Sequence, residues 1–147
     1  MERKPTIPAS YLVLEKDNKI LLLRRFNTGY EDGNYSLIAG HLEDDESLTQ
    51  CIIREAKEEA GITVKEENLK VEYVLHRNSG LENDNQRIEV FFTAKKWIGK
   101  IENKVKNKCD DLSWFDKDKL PVNIIPYIKD SLNKINNKIN YGELGWK

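Results

Sequence analysis

The chain has 147 residues, of which 39% are hydrophobic and 33% charged, with a formal net charge of −1. That length suits a single domain over 1–147 with an ordinary core, and the near-neutral balance gives no general affinity for nucleic acid polymers or membrane surfaces. No apolar run reaches membrane-spanning length, the start MERKPTIPAS has no apolar signal core, and Cys51 and Cys109 fit a reducing cytoplasm better than a disulfide framework.

Residues 7–15, IPASYLVLE, read as a strand. Lys16, Asp17 and Asn18 turn the chain, and Lys19 to Arg25 returns as the second strand of a hairpin. Residues 26–34 are a polar, turn-rich loop, and Tyr35 to Ala39 a short strand. Gly40 then suits a tight bend beside a ligand, and the acidic loop Glu43 to Glu46 leads into a helix. Ser47 and Gln50 form an S-x-x-Q capping box at its start, and Gly61 is the left-handed stop after Ala60. Ile62 to Val64 is a brief strand, 65–68 a turn, and Leu69 to Arg77 a longer strand. The polar stretch 78–86 reads as a mobile loop. Arg87 to Trp97 is a strand, 98–111 a loop, and Leu112 to Phe115 the last strand. Asn123 is a candidate cap for a helix in which Ile124, Ile128, Leu132, Ile135 and Ile139 share one face. The tail YGELGWK either docks through Tyr141 and Trp146 or frays. Irregularly interleaved strands and helices predict an α+β domain with a mixed sheet between helices.

The informative stretch is 40–62, GHLEDDESLTQCIIREAKEEAGI. Taking Glu55 as zero on a helix, Glu59 lies at about +40° and Glu58 at about −60°. Ile52, Ile53, Ala56 and Ala60 form a separate apolar stripe. Leu48 and Cys51 fall one turn earlier on the carboxylate side, so that side is expected to be partly covered by protein. Three carboxylates on one face repel one another, and they sit in the C-terminal half, where the helix dipole disfavours negative charge. A divalent cation with a taste for hard oxygen ligands, Mg²⁺ or Mn²⁺, resolves that conflict.

The spacing G-x5-E-x7-R-E-x2-E-E-x-G-apolar resembles the Nudix box at every defining position. Seven positions are fixed, and at background usages of roughly 7% each a window matches by chance about once in 10⁸. The resemblance implies an α/β/α sandwich and metal-dependent hydrolysis of a pyrophosphate bond in a nucleoside diphosphate derivative. It implies metal held by Glu55, Glu58 and Glu59 and by the backbone at Ala39 and Gly40. Glu55 serves as ligand or as general base, Arg54 orients the carboxylates, and Glu46 pairs with Arg54 or orients a ligand. Glu46, Arg54, Glu55 and Glu58 are therefore the candidate catalytic residues, and Arg25, His41 and Arg77 the candidate substrate contacts. His41 stands where the family often has a second glycine.

Two departures shape the rest. The segment 103–108, NKVKNK, stands where related sequences carry N-x-E-P-x-K, with Val105 and Lys106 in place of the Glu and Pro; Glu102, Asp110 and Asp111 are the substitute acids. Residues 75–79, Leu-His-Arg-Asn-Ser, lack the proline or tyrosine markers of ADP-ribose and dinucleoside polyphosphate hydrolases. This favours a nucleoside triphosphate, plain or oxidised, cleaved to monophosphate and pyrophosphate. ADP-ribose, dinucleoside polyphosphates, nucleotide sugars and a non-catalytic nucleotide sensor are the alternatives. The expected partner is a small nucleotide rather than a nucleic acid polymer or membrane, and the expected assembly a monomer or homodimer.

Overall fold

The computed structural model describes residues 1–81 and 84–147. Its elements are β1 (Thr6–Lys16), β2 (Lys19–Arg25), β3 (Tyr35–Ser36), β4 (Ile38–His41), α1 (Leu48–Ala60), β5 (Lys70–Arg77), β6 (Gln86–Ala94), β7 (Cys109–Asp116), α2 (Pro126–Asn136) and β8 (Tyr141–Leu144).

Strand β1 sits at the centre because both of its faces are apolar. Ala9, Tyr11 and Val13 point to one core, together with Tyr73, Phe91, Ile128 and Leu132. Leu12 and Leu14 point to the other, with Ile52, Ala56, Ala60 and Phe92. A strand buried on both faces needs a cover on each, and α1 and α2 supply one apiece. β1 pairs in parallel with β6 and antiparallel with β4. β6 continues antiparallel to β5, and β5 pairs in parallel with β8. At its far end β1 turns through Asp17 and Asn18, both at positive φ, into β2, which carries β3 and β7 antiparallel on its flanks. The result is a mixed sheet between two helices, as expected.

The cap of α1 is the one its sequence specifies. Ser47 Oγ accepts from the Gln50 amide at 3.1 Å, and Gln50 Oε1 accepts from the Ser47 amide at 2.8 Å. Gly61 ends the helix at φ 71°, its amide donating to the Lys57 carbonyl. Ile52, Ala56 and Ala60 are fully buried; burying an isoleucine is worth roughly 1.5–3 kcal/mol.

Several boundaries differ from the sequence reading. The strand expected over 35–39 splits into β3 and β4 and reaches His41, so Gly40 lies within a strand and not at a bend. β6 stops at Ala94 rather than Trp97, and β7 starts at Cys109 rather than Leu112 because β2 continues to pair with it past Leu23. Ile62 to Val64 contributes a single bridge, Thr63 to Ile98. Asn123 does not cap α2. Its side chain donates to the Gly33 carbonyl at 2.7 Å, and the helix starts on Pro126, whose missing amide needs no cap. The helix ends at Asn136, which leaves Ile139 outside it and exposed. The tail docks as β8. Of the expected 78–86 loop, Glu82 and Asn83 lie outside the described residues, and Gln86 already belongs to β6.

Candidate active site

Arg54 is the hub of α1's polar face. Its Nε and Nη2 grip Glu46 at 3.0 and 2.8 Å, a two-pronged pair across the loop that precedes the helix. Nη1 donates to Glu55 at 2.6 Å and to Glu58 at 3.2 Å, and Nη2 reaches the His41 carbonyl at 3.4 Å. One guanidinium thereby ties three carboxylates and strand β4 together. The hydrogen bonds from Arg54 hold the Glu46 carboxyl down at about 2, well below the usual carboxylate value. The carboxylates in turn hold the Arg54 guanidinium firmly charged.

Beneath Gly40 the arrangement tightens. A Cβ at Gly40 would overlap the Glu55 carboxyl and lie 2.7 Å from its Cγ, although the backbone there is not in the left-handed region. The glycine is therefore required by space, to let Glu55 lie flat against β4. Glu59 sits beside Glu55 with its Oε2 buried and without a partner among the described residues. Burial pushes Glu59 well above the ordinary carboxylate range and the Glu55 charge adds to it, while the Ala39 amide and Arg25 act in the opposite sense. Burial also raises Glu55, against the pull of its hydrogen-bonded neighbours.

An unpartnered buried carboxylate oxygen beside a second carboxylate is a donor set suited to a hard divalent cation. Glu58 stands apart: its carboxylate is half exposed and turned to Arg54, its i−4 neighbour. Among the described residues no three His, Cys, Asp or Glu side chains already converge as a cation cage. The helix thus presents two adjoining carboxylates, with Glu58 at the rim.

The opposite side of Gly40 opens into a cleft of ≈ 450 Å³ lined by Arg25, His41, Arg77, Arg87, Tyr30 and Tyr127 among others. All three expected substrate contacts line it. Arg25 donates to neutral oxygens, the Tyr30 carbonyl at 2.6 Å and Thr28 Oγ1 at 3.0 Å. His41 is exposed at the end of β4. Arg77 is different, because its charge is already matched. Its Nε donates to Glu89 Oε1 at 2.5 Å, and Glu89 is fully buried. Tyr11 donates its hydroxyl to the same carboxylate, and the Arg77 guanidinium lies over the Tyr127 ring, 4.0 Å from its centroid. Burial raises the Tyr11 and Tyr127 phenols, the latter to about 12, so both stay protonated.

Glu89, Tyr11 and Tyr127 were not foreseen from sequence. Strand alternation in RIEVFFTA does put Glu89 on the face of Phe91, which is fully buried, so a carboxylate on a core face was the available signal. The substitute acids, Glu102 in the β6–β7 loop and Asp110 and Asp111 at the start of β7, join neither Glu55 nor Glu59. Glu102 pairs with Lys104, Asp110 with Arg24, and Asp111 accepts from Tyr35 and Ser113. The β6–β7 loop instead closes the end of α1, the Glu102 and Lys104 amides donating to the Ala60 and Glu59 carbonyls. Cys51, buried against the Gly40 and His41 carbonyls, has its thiol pushed up to about 11, as an inert core group.

A family model described as the NUDIX domain matches residues 4–134. An NAD-capped RNA hydrolase NudC of Chromobacterium violaceum is 32% identical over 117 residues, 80% of this chain and 41% of that protein. An ADP-ribose pyrophosphatase of Methanocaldococcus jannaschii is 40% identical over 57 residues, 39% of this chain and 33% of that protein. The chain thus spans about two fifths or less of these curated relatives. A MutT NUDIX hydrolase from Burkholderia pseudomallei has the same fold at a TM-score of 0.80, with 21% identity over 88% of this chain and 98% of that one. A MutT protein from Methanosarcina mazei gives 0.78, with 22% identity over 94% and 98%. No helix among the described residues is long and apolar enough to cross a membrane. With the family model covering most of its length and two adjoining carboxylates on the helix that carries the motif, the chain belongs to the Nudix hydrolase family.

Proposed function

We propose that the chain hydrolyses a pyrophosphate bond in a small nucleotide, a nucleoside triphosphate before other substrates, giving monophosphate and pyrophosphate. The observation that carries this reading is the position of Gly40. Glu55 and Glu59 lie against one side of its strand, and a nucleotide-sized cleft with arginines opens on the other. Arg25 lines the cleft and acts on the Glu59 charge, so a phosphate chain held by Arg25 would reach towards the carboxylates round the edge of the strand.

Glu55 and Glu59, with Glu58 and the backbone at Ala39 and Gly40, would hold Mg²⁺ or Mn²⁺, which when bound would offset the negative charge of the phosphate oxygens and make water a stronger nucleophile. Arg54 fixes the Glu55 carboxylate, and Glu46 fixes Arg54. Arg25 faces the phosphates with its charge unspent on a carboxylate, and His41 contacts the substrate at the rim. Glu55 is our candidate to accept a proton from the attacking water. Glu102, Asp110 and Asp111 each have another partner, so among the described residues the carboxylates of the helix are the ones left for the chemistry.

The test is a panel of nucleoside triphosphates, ADP-ribose, NAD, dinucleoside polyphosphates, nucleotide sugars and a 5′-NAD-capped oligonucleotide. Each is incubated with Mg²⁺ or Mn²⁺ and its products identified. Expected is pyrophosphate release from at least one triphosphate. Tight nucleotide binding with no turnover of any member would select a sensor instead, and turnover confined to the capped oligonucleotide would move the substrate class to RNA ends.

A further inference from the structure

The Arg77 site has the construction of a reader rather than of a charge. Of the five N–H donors of its guanidinium, the Nε proton and one on Nη2 face the Glu89 carboxylate. The remaining three carry no partner among the described residues, and two of them form the parallel end-on fork that an arginine presents to a pair of acceptors. The fork cannot swing. Glu89 is wholly buried and anchored a second time by the Tyr11 hydroxyl. Tyr127 lies against the guanidinium plane, and its own hydroxyl is 3.0 Å from that of Tyr11. Tyr11 is stacked in turn on Phe91, at 4.6 Å and 13°. The side chain is thus fixed by a carboxylate, an aromatic face and the core behind both.

Its charge is also cancelled. A phosphate gains most from an unmatched cation, and in this cleft Arg25 is the residue that lies near the carboxylates and donates to neutral oxygens. Arg77, neutralised by Glu89, keeps direction without net charge. That suits a neutral partner with two adjacent acceptor atoms.

We propose that Arg77 is the specificity-determining residue of the cleft, reading two neighbouring acceptors on the nucleotide base, with Glu89 and Tyr127 as positioning residues that hold its fork. This rests on the cleft being the nucleotide site. Guanine offers such a pair in O6 and N7, and cytosine in O2 and N3. Adenine and uracil alternate donor and acceptor along their edges and leave one arm of the fork facing a donor. Guanine oxidised at C8 carries a proton on N7 and is rejected on the O6/N7 edge.

The experiment measures kcat and KM for GTP, CTP, ATP and UTP, and calorimetric binding of GMP and AMP, on the full chain. A good bidentate contact discriminates by about tenfold or more. Expected is kcat/KM for GTP and CTP at least about tenfold above ATP and UTP, carried by KM. Arg77→Lys, which keeps the charge but loses the fork, collapses that ratio to within about threefold. Glu89→Gln releases the fork and lowers the ratio in the same direction, and serves if Arg77→Lys fails to fold. A merely structural role would lower all four substrates together and leave the ratio intact.

Hydrolysis of all four triphosphates with equal kcat/KM overturns the inference and leaves the hydrolase reading standing. A wild-type preference that survives both variants overturns it too, as does an equal rise in KM for every base in Arg77→Lys, which marks a phosphate contact. GMP binding at least about tenfold tighter than AMP without turnover keeps the inference and sinks the hydrolase reading.

Discussion

Gly40→Ala separates catalysis from stability, because the added methyl group meets the flexible end of one side chain. The new Cβ would overlap the Glu55 carboxyl and lie 2.7 Å from its Cγ. Ordinary carbon–carbon contact needs roughly 3.5–4.0 Å, so Glu55 must retreat by about 1 Å or more. Retreat breaks the 2.6 Å bond from Arg54 Nη1. A hydrogen bond to a charged group is worth roughly 1.5–3 kcal/mol. Arg54 keeps Glu46 and Glu58, and the relieved crowding against Glu59 offsets part of the loss. The net cost is therefore about 1 kcal/mol, a fall in Tm of about 2–4 °C for a domain of this size.

Turnover is more sensitive, since a displacement of about 1 Å at a reacting group costs on the order of 10²-fold. The assay is a double-mutant cycle with Glu55→Ala, reading pyrophosphate release and thermal melting. Gly40→Ala should lower turnover about a hundredfold alone and add nothing in the Glu55→Ala background. Turnover within about twofold of the wild type, or losses that multiply across the cycle, would refute the steric reasoning.

Arg54→Ala leaves Glu46, Glu55 and Glu58 without their shared cation. It should destabilise the fold by about 2 kcal/mol, less than for a wholly buried pair because Arg54 is 22% exposed; added Mg²⁺ should recover part of the loss in a melt. Glu46, held near 2 in the fold, binds its proton more readily when unfolded. Its contribution to stability is therefore complete above the ordinary carboxylate value of about 4.3 and lost as pH falls towards 2. Carboxyl NMR should place its midpoint below 3, and a midpoint of 4 or higher would disprove the pairing. Ser47→Ala removes one side of the capping box and should cost about 1 kcal/mol in urea unfolding with turnover retained. Glu59→Gln, an isosteric change at a carboxyl whose burial favours the neutral form, should cut turnover at least about tenfold while Tm holds within about 3 °C; unchanged rates would remove Glu59 from the site.

What was legible in the sequence was whatever one helix or one strand encodes within itself. The capping box, the Gly61 stop and the approach of Glu55 to Glu59 follow from spacing along a helix; the pairing of Arg54 with Glu46 came from the resemblance to the Nudix box. The same spacing puts Arg54 one turn before Glu58, and the two pair in the fold; what spacing does not give is that this pairing turns Glu58 away from Glu55 and Glu59. From sequence alone Gly40 suits a bend, because glycine usually signals conformation; what requires it is a side chain from another element. Arg77, a candidate substrate contact in the sequence, lines the cleft. Its partner Glu89 lies across the β5–β6 pair, and the Tyr127 ring comes from α2. Such a cluster exists only once strand register is set, and no local pattern announces it beyond an acid on a core face. The end of α2 and the docking of the tail depend likewise on where β5 offers an edge.

That edge ties the far end of the chain to the base-reading end of the cleft. β8 zips alongside Val74 to Arg77, the Asn78 amide donates to the Leu144 carbonyl at 2.8 Å, and the Trp146 indole donates to the His76 carbonyl at 2.9 Å. The strand that ends in Arg77 thus owes one of its two flanks to a few residues beyond α2. Clipping the chain after Asn140 would strip that rail and expose a bare β5 margin open to foreign strands. A bulky fusion there would tug on nucleotide selection from outside the cleft, while the carboxylates of α1, moored to β4 and β1, would be spared.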